Sequence, residues 1–316
     1  MFAPLAKRVS VKTIMIVTMI FFSLTNYFCA ATSSIDQILF MRVIMGIAAA
    51  GVIPLGLILI GQVFDKDVRG RVVGMFFSSS FVASIIGILT SGFLNWRFLF
   101  LIPAVLGVVA AGAVYFTKSD FLKKINGTKI DYVAALLNKD VRNIFIFIIS
   151  ISMLYHGVDR WLGVYLSRVY HLNQLTISLL FGLIAVSAAC GQFFGGQLTD
   201  KKGRLFSCRA GLWALSLATM LLAGVYPLFV LSIILVLFAL GWTVGHNGVS
   251  TVLTDFPDQF RLEIASLNSS LRFLAGGVGF SISGIFVEKS FGLTFLVIGI
   301  LMYLLSLTLK RVIPQN

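Results

Sequence analysis

Ten long apolar runs constrain the fold of this chain more than any other feature of its sequence. The runs span residues 13–31, 37–62, 72–94, 98–116, 143–166, 175–198, 206–225, 228–253, 263–286 and 291–309. An α-helix needs roughly 20 apolar residues to cross the hydrocarbon core of a bilayer. Transmembrane β-strands alternate apolar and polar residues in segments of about ten, and these runs are longer and uniformly apolar. The sequence therefore predicts an all-α integral membrane protein with about ten transmembrane helices.

The composition favours the same fold class. Of the 316 residues, 58% are hydrophobic and 12% are charged, and the mean hydropathy is +0.98. Soluble domains carry about 25% charged residues, so too few charges are present to cover a surface in water. Cys29, Cys190 and Cys208 show neither a disulfide framework nor the spacing of a metal site, and we expect no cofactor.

The basic residues predict an orientation in the membrane. The net charge of +13 does not indicate nucleic-acid binding, because Lys and Arg lie in short clusters between apolar runs. With both termini inside, 19 of the 25 Lys and Arg lie on the inner side, three on the outer side and three within the runs. Cytoplasmic loops of membrane proteins carry such an excess of positive charge. We expect a multi-pass protein of the cell membrane with both termini in the cytoplasm.

The longest polar stretch divides the chain into four runs and then six. We expect an incomplete four-helix half at 1–116, a cytoplasmic loop at 117–142 along the inner membrane surface, and a six-helix half at 143–316. The segment from Arg69 is similar to that from Arg261, and each reaches a Ser-Gly pair before the next turn. This repeat predicts duplicated halves, with the ten runs as helices 3–12 of a twelve-helix plan whose first two helices are missing.

A short loop carries a family motif. Residues 196–204 read GQLTDKKGR and fit the pattern G-x-x-x-D-[RK]-x-G-R. On this motif, together with the apolar runs and the repeat, the chain resembles the major facilitator superfamily over nearly its whole length. The resemblance implies an MFS-type helical bundle and a loop that stabilises one conformation through Gly196, Asp200, Lys201, Gly203 and Arg204.

Two further segments resemble the drug and metabolite efflux branch, which exchanges substrate for protons. Arg42 is followed by Gly46 and small residues, as in the fourth helix of such exporters, and the resemblance implies a part in proton coupling. The alternative is an Arg that snorkels to the outer surface. The run at 72–94 resembles an antiporter pattern but departs from it at Ala83 and Ile88.

Ionisable residues inside the later runs are the candidate transport and proton-coupling sites, since charges there are costly without partners. The candidates are His156, Asp159, Arg160, His246, Asn247 and Arg272. Helical spacing places the first three on one face. An intrahelical ion pair, a packing His and structural hydrogen bonds are the alternatives. Possible aromatic walls of a cavity are Tyr155, Trp161, Tyr165 and Trp242.

Four functions are compatible with this fold. The first is proton-coupled efflux of a small hydrophobic or drug-like molecule by alternating access, by a monomer in the lipid bilayer. The second is uptake of an organic anion, because three Arg against Asp159 leave a positive excess within the runs. The third is a truncated membrane remnant or sensor that transports nothing. The fourth, an enzyme, lacks support because His156, His171 and His246 are scattered and form no catalytic cluster.

Overall fold

The chain forms two compact units, residues 1–129 and 130–316. The computed structural model describes residues 9–52, 55–56, 60, 66–117, 131–253, 256 and 261–313. Within these residues, unit 1 contains helices α1 (Val11–Ala31), α2 (Ile35–Ala49), α3 (Lys66–Ser91) and α4 (Phe98–Phe116). Unit 2 contains α5 (Tyr132–Leu137), α6 (Lys139–Asp159), α7 (Leu162–Tyr170), α8 (Gln174–Lys202), α9 (Arg204–Leu221), α10 (Leu228–Val252), α11 (Arg261–Val287), α12 (Phe291–Leu307) and α13 (Leu309–Val312).

The described residues contain no strand, and the predicted all-helical membrane fold is confirmed. Six helical segments among them are long and apolar enough to cross a membrane. They are Val11–Ala31, Phe98–Phe116, Lys139–Tyr170, Gln174–Lys202, Leu228–Val252 and Ser266–Val287. The predicted runs at 72–94, 206–225 and 291–309 overlap α3, α9 and α12, which are shorter or begin with charged residues. Helix α2 covers the first half of the predicted run at 37–62, and residues 53–54, 57–59 and 61–62 of that run lie outside the described residues.

Two details differ from the sequence prediction. The predicted run at 143–166 is two helices, because α6 ends at Asp159 and α7 begins at Leu162. The predicted half-boundary at 143 lies inside α6, whose first turn and the short helix α5 occupy the second part of the 117–142 loop. The first part of that loop, 118–130, is outside the described residues.

Ser and Asn side chains cap the N-termini of several membrane helices. Asn138 Oδ1 accepts from the N–H of Asp140 at 3.0 Å, and Asn173 Oδ1 accepts from the N–H of Thr176 at 2.9 Å. Ser10 and Ser290 cap α1 and α12 in the same way. Each cap satisfies a backbone donor that the first helical turn leaves without a partner.

In unit 1, α1 packs against α4 and each helix supplies a cation to the other helix's C-terminus. The Arg97 guanidinium donates to the carbonyls of Ala30 at 2.6 Å and Thr32 at 3.2 Å, where α1 ends. Lys12 Nζ donates to the carbonyl of Thr117 at 2.7 Å, where α4 ends. Both bonds place positive charge at the negative end of a helix dipole.

In unit 2, α10 packs between α8 and α9, and α6 packs against α11. Glycines bring α10 and α9 into backbone contact: Gly241, Gly245 and Gly248 of α10 face Leu215, Gly211 and Cys208 of α9. A Cβ added to Gly248 would lie 2.6 Å from Cys208 Sγ. Small residues at such spacing allow membrane helices to approach closely. Gly241, Gly245 and Gly248 are therefore packing residues on this face.

Candidate functional site

The ionisable residues at the end of α6 form one cluster around Asp159. Its Oδ2 lies 3.8 Å from His156 Nδ1 and 3.6 Å from Arg160 Nε. Its Oδ1 accepts a hydrogen bond of 3.2 Å from the Tyr155 hydroxyl. The side chains of His156 and Asp159 are each 19% exposed, whereas that of Arg160 is 61% exposed. The structure therefore brings together the three predicted residues and adds Tyr155 as a hydrogen-bond donor.

The break between α6 and α7 positions this cluster. Trp161 Nε1 donates to the carbonyl of Phe280 on α11 at 3.2 Å, and the two rings stack at 5.0 Å. Trp161 thus anchors the turn to α11. Tyr165 is buried and donates to the carbonyl of Leu222 at 2.8 Å, so it packs in the core instead of lining a cavity.

Aromatic rings of α10 cover the neighbouring face of Tyr155. The Tyr155 and Trp242 rings are parallel, with centroids 3.7 Å apart, and Phe238 also stacks on Tyr155 at 5.4 Å. Trp242 contacts His246 one turn along, at 5.4 Å between ring centroids. Phe238 was not among the predicted aromatic residues, although its spacing of four residues from Trp242 places both rings on one face.

Helix α11 brings a cation to the same region. A Cβ added to Gly276 would lie 2.7 Å from Cδ2 of His156, so this glycine allows the imidazole to pack directly against α11. Arg272 Nε donates to Asn268 Oδ1 at 2.6 Å. Its Nη2 is buried and has no hydrogen-bond partner among the described residues. His246 is close enough to Arg272 and to His156 for electrostatic interaction with both.

We call this region the central cluster. It consists of Tyr155, His156, Asp159, Trp242, His246 and Arg272. Three helices, α6, α10 and α11, supply a carboxylate, two imidazoles, a guanidinium and two stacked rings. Such a group can exchange protons and bind an aromatic or polar molecule.

Two other candidate residues lie elsewhere. Asn247 Nδ2 donates to the backbone carbonyl of Gln192 on α8 at 2.8 Å, so it joins two helices. Arg42 belongs to unit 1, where its guanidinium lies 4.7 Å from the centre of the Phe100 ring. It is exposed and forms no salt bridge with the part of the chain that the structure describes.

The loop motif forms a tight turn between α8 and α9. Gly203 has φ 83° and ψ 162°, a conformation that is essentially restricted to glycine. Across the turn, the hydroxyls of Thr199 and Ser207 bond at 2.9 Å. Gly196 packs against Asn247. Asp200 and Lys201 are exposed, and Asp200 forms no hydrogen bond with the described residues.

The buried carboxylate of Glu263 was not predicted from the sequence. Glu263 is 6% exposed in the first turn of α11, and its Oε1 accepts from the backbone N–H of Asp131 at 3.0 Å. The bond ties the start of α11 to the start of α5. Its position in a first helical turn also suits the helix dipole.

Comparison with known proteins agrees with this architecture. The Uncharacterized MFS-type transporter YbcL of Bacillus subtilis is 24% identical over 258 residues, which cover 78% of this chain and 65% of that protein. The Efflux pump hmp6 of Hypomyces subiculosus is 27% identical over 203 residues, 63% of this chain and 36% of that protein. The chain thus spans less than two thirds of the length of these curated relatives.

A solved structure and a family model complete the comparison. The crystal structure of a bacterial homolog of the human lysosomal transporter Spinster matches with a TM-score of 0.79 at 16% identity, covering 100% of this chain and 87% of that one. The model of the Major Facilitator Superfamily matches residues 1–284. A transporter family and a transporter fold indicate that the protein is not an enzyme. The chain belongs to the major facilitator superfamily of membrane transporters.

Proposed function

We propose that the chain exports a small hydrophobic or drug-like molecule across the cell membrane in exchange for protons. The observation that carries this proposal is the environment of Asp159. Its carboxylate is mostly buried in a membrane-spanning segment and contacts an imidazole, a guanidinium and a phenol. A carboxylate in such a place is a proton-relay candidate by default.

Protonation of Asp159 would change several contacts at once. The neutral acid loses its ionic attraction to Arg160 and to a protonated His156, and Tyr155 loses an anionic acceptor. A proton can shift a conformational equilibrium only if it binds two states with different affinity. If these contacts are made in only one of the inward-open and outward-open states, the two states bind the proton with different affinity, and the cluster acts as a switch between them.

The apolar nature of the substrate rests on the rings beside the switch. Trp242 is partly exposed and stacks on Tyr155. An aromatic wall of this kind suits a planar apolar molecule. The relative hmp6 is named as an efflux pump, which supports the proposed direction.

The test uses energised, everted vesicles that contain the full chain, with ethidium as the first dye. Export predicts dye uptake that stops when nigericin collapses the pH gradient. Replacing Asp159 by Asn should reduce this uptake roughly 10- to 100-fold, because the coupling energy between proton and substrate is lost. Asp140→Asn, at an exposed carboxylate in the first turn of the same helix, is the matched control. Equal uptake by both variants would remove Asp159 from the mechanism.

A second candidate, transport of an organic anion, is favoured by Arg272. Its buried Nη2 is a cationic donor with no acceptor among the described residues, and an anionic substrate would provide one. Carboxyfluorescein in place of ethidium separates the two functions. Gradient-dependent movement of carboxyfluorescein alone would favour the anion.

The proposal includes the orientation. The excess of Lys and Arg in the segments assigned to the inner side supports cytoplasmic termini. Tag accessibility should place the 118–142 and 199–205 segments on one face of the membrane. Opposite faces would reject this topology.

A further inference from the structure

A groove on the surface of unit 2 lies outside the central cluster. It runs between α6, α11 and α12 and has a volume of about 410 Å³. Its walls include Met153, Gly279, Phe286, Leu293, Val297 and Leu301. His156 and Asp159 do not line it, although they lie on the same helix as Met153.

The length of the groove matches one leaflet of a bilayer. Along α12 the lining extends from Ser290 to Leu301, about 16 Å at the helical rise. The hydrocarbon core is about 30 Å thick, so one leaflet occupies about half of that. Ser290 is the N-cap of α12, so if α12 starts at the membrane surface, the groove runs from that surface to near the midplane.

Away from the mouth, the walls contain two hydroxyl groups, and both already donate to backbone carbonyls. Ser283 Oγ donates to the carbonyl of Phe280 at 3.0 Å, and Thr294 Oγ1 donates to that of Ser290 at 2.6 Å. The other wall residues are apolar or glycine, apart from those at the mouth. Gly157 lies against Ser283, so α6 and α11 are in close contact where they form the floor, and the groove exists before a ligand arrives.

The mouth carries a positive charge. Lys289 lines the groove beside Ser290, is exposed, and forms no salt bridge within the described part of the chain, including with its neighbour Glu288. A cation at the mouth of an apolar groove as long as one leaflet is thick matches an anionic headgroup with an attached hydrocarbon chain.

We propose that this groove binds an anionic phospholipid, with one acyl chain between α6, α11 and α12 and the phosphate paired with Lys289. The apolar walls provide affinity for the chain through burial of its surface. Lys289 provides selectivity for the headgroup charge. This proposal does not depend on the substrate or on the direction of transport.

The test compares phosphatidylglycerol with phosphatidylcholine of the same acyl chains, by native mass spectrometry of the full chain purified in detergent. We expect tighter binding of phosphatidylglycerol, and Lys289→Ala should weaken it about fivefold. The effect on phosphatidylcholine should be smaller, because its choline cation offsets the charge of its phosphate. Arg168→Ala, which removes an exposed cation away from the groove, is the control for charge. Added salt should weaken the selectivity as Lys289→Ala does.

A second pair of variants tests the groove itself. Val297→Trp fills the groove and should abolish the bound lipid of either type. Leu296→Trp adds the same bulk at an exposed neighbouring residue that does not line the groove, and should leave binding intact. Equal binding of both lipids with no effect of Lys289→Ala would overturn the headgroup assignment. Retention of lipid by Val297→Trp would overturn the site, whereas dye transport reports on the proposed function independently.

Discussion

Two arginines, Arg97 in unit 1 and Arg272 in unit 2, show how differently a cation can be used in one membrane protein. Arg97 donates to two backbone carbonyls at the end of α1 and to the hydroxyl of Ser33 at 3.1 Å. Arg272 has one bond, to Asn268 one turn away on its own helix, and a buried nitrogen without a partner in the described residues. Arg97 thus holds two helices together, whereas Arg272 has a buried donor that could bind another group.

The comparison indicates that the hydrogen-bond partners of an arginine distinguish a structural cation from a functional one better than its position within a predicted membrane helix does. An unpaired buried donor costs about 1–3 kcal/mol, and more when it is charged. Such a donor is a candidate position for another group to bind. Arg272 is therefore the better candidate for contact with a substrate, and Arg97 for stability.

The largest expected effect comes from Arg272. Arg272→Ala should reduce gradient-dependent transport roughly 100-fold, at the upper end of typical coupling energies, while the yield of folded protein changes little. Arg272→Lys should retain part of the activity, because it keeps the charge but not the planar donor array. Vesicle transport normalised to protein amount is the measurement. Full activity of Arg272→Ala would show that the free donor is incidental.

Arg97 should show the opposite pattern. Arg97→Ala removes charge-assisted bonds at a helix C-terminus and should destabilise the protein by about 2 kcal/mol. Thermal unfolding in detergent measures this loss, and transport per folded molecule should stay near the wild-type level. A normal melting temperature with lost transport would reverse the roles assigned to the two arginines.

Lys12 sharpens the comparison with the smallest effect. Lys12→Met removes one bond to the Thr117 carbonyl but keeps most of the apolar stem. Because the bond is exposed, we expect a loss of about 0.5 kcal/mol, visible as a small decrease in melting temperature that disappears at high salt. A larger loss than that of Arg97→Ala would mean that the two ends of the α1–α4 pair are not comparable.

Much of the fold could be predicted from the sequence because a bilayer imposes a simple rule on composition. Long apolar runs must be helices there, and the runs at 98–116 and 228–253 coincide with α4 and α10 almost residue for residue. The helix break at Asp159 could not be predicted, because Arg160 and Trp161 carry no breaking signal. Trp161 is held by the carbonyl of Phe280, a contact between residues far apart in the chain.

The site was predictable where its residues are helical neighbours. The spacing of His156, Asp159 and Arg160 was sufficient to group them. The stacking of Tyr155 on Trp242, the packing of His156 against Gly276 and the bond from Asn247 to α8 all depend on which helices pack together. A pattern along one chain does not contain that information.

The proposed function requires that α10 has two different faces: a glycine-rich face packed against α9 and a face in the central cluster that a solute can reach. Cysteine accessibility tests it directly, in full chain whose Cys29, Cys190 and Cys208 are replaced by Ala. Cysteine is then introduced as His246→Cys on the cluster face or as Val249→Cys, where the native side chain is 3% exposed in the core. A membrane-impermeant thiosulfonate reagent should modify the His246→Cys protein, more slowly when ethidium is present, and should leave the Val249→Cys protein unmodified. Equal modification of the two, or none of the His246→Cys protein, would contradict the claim.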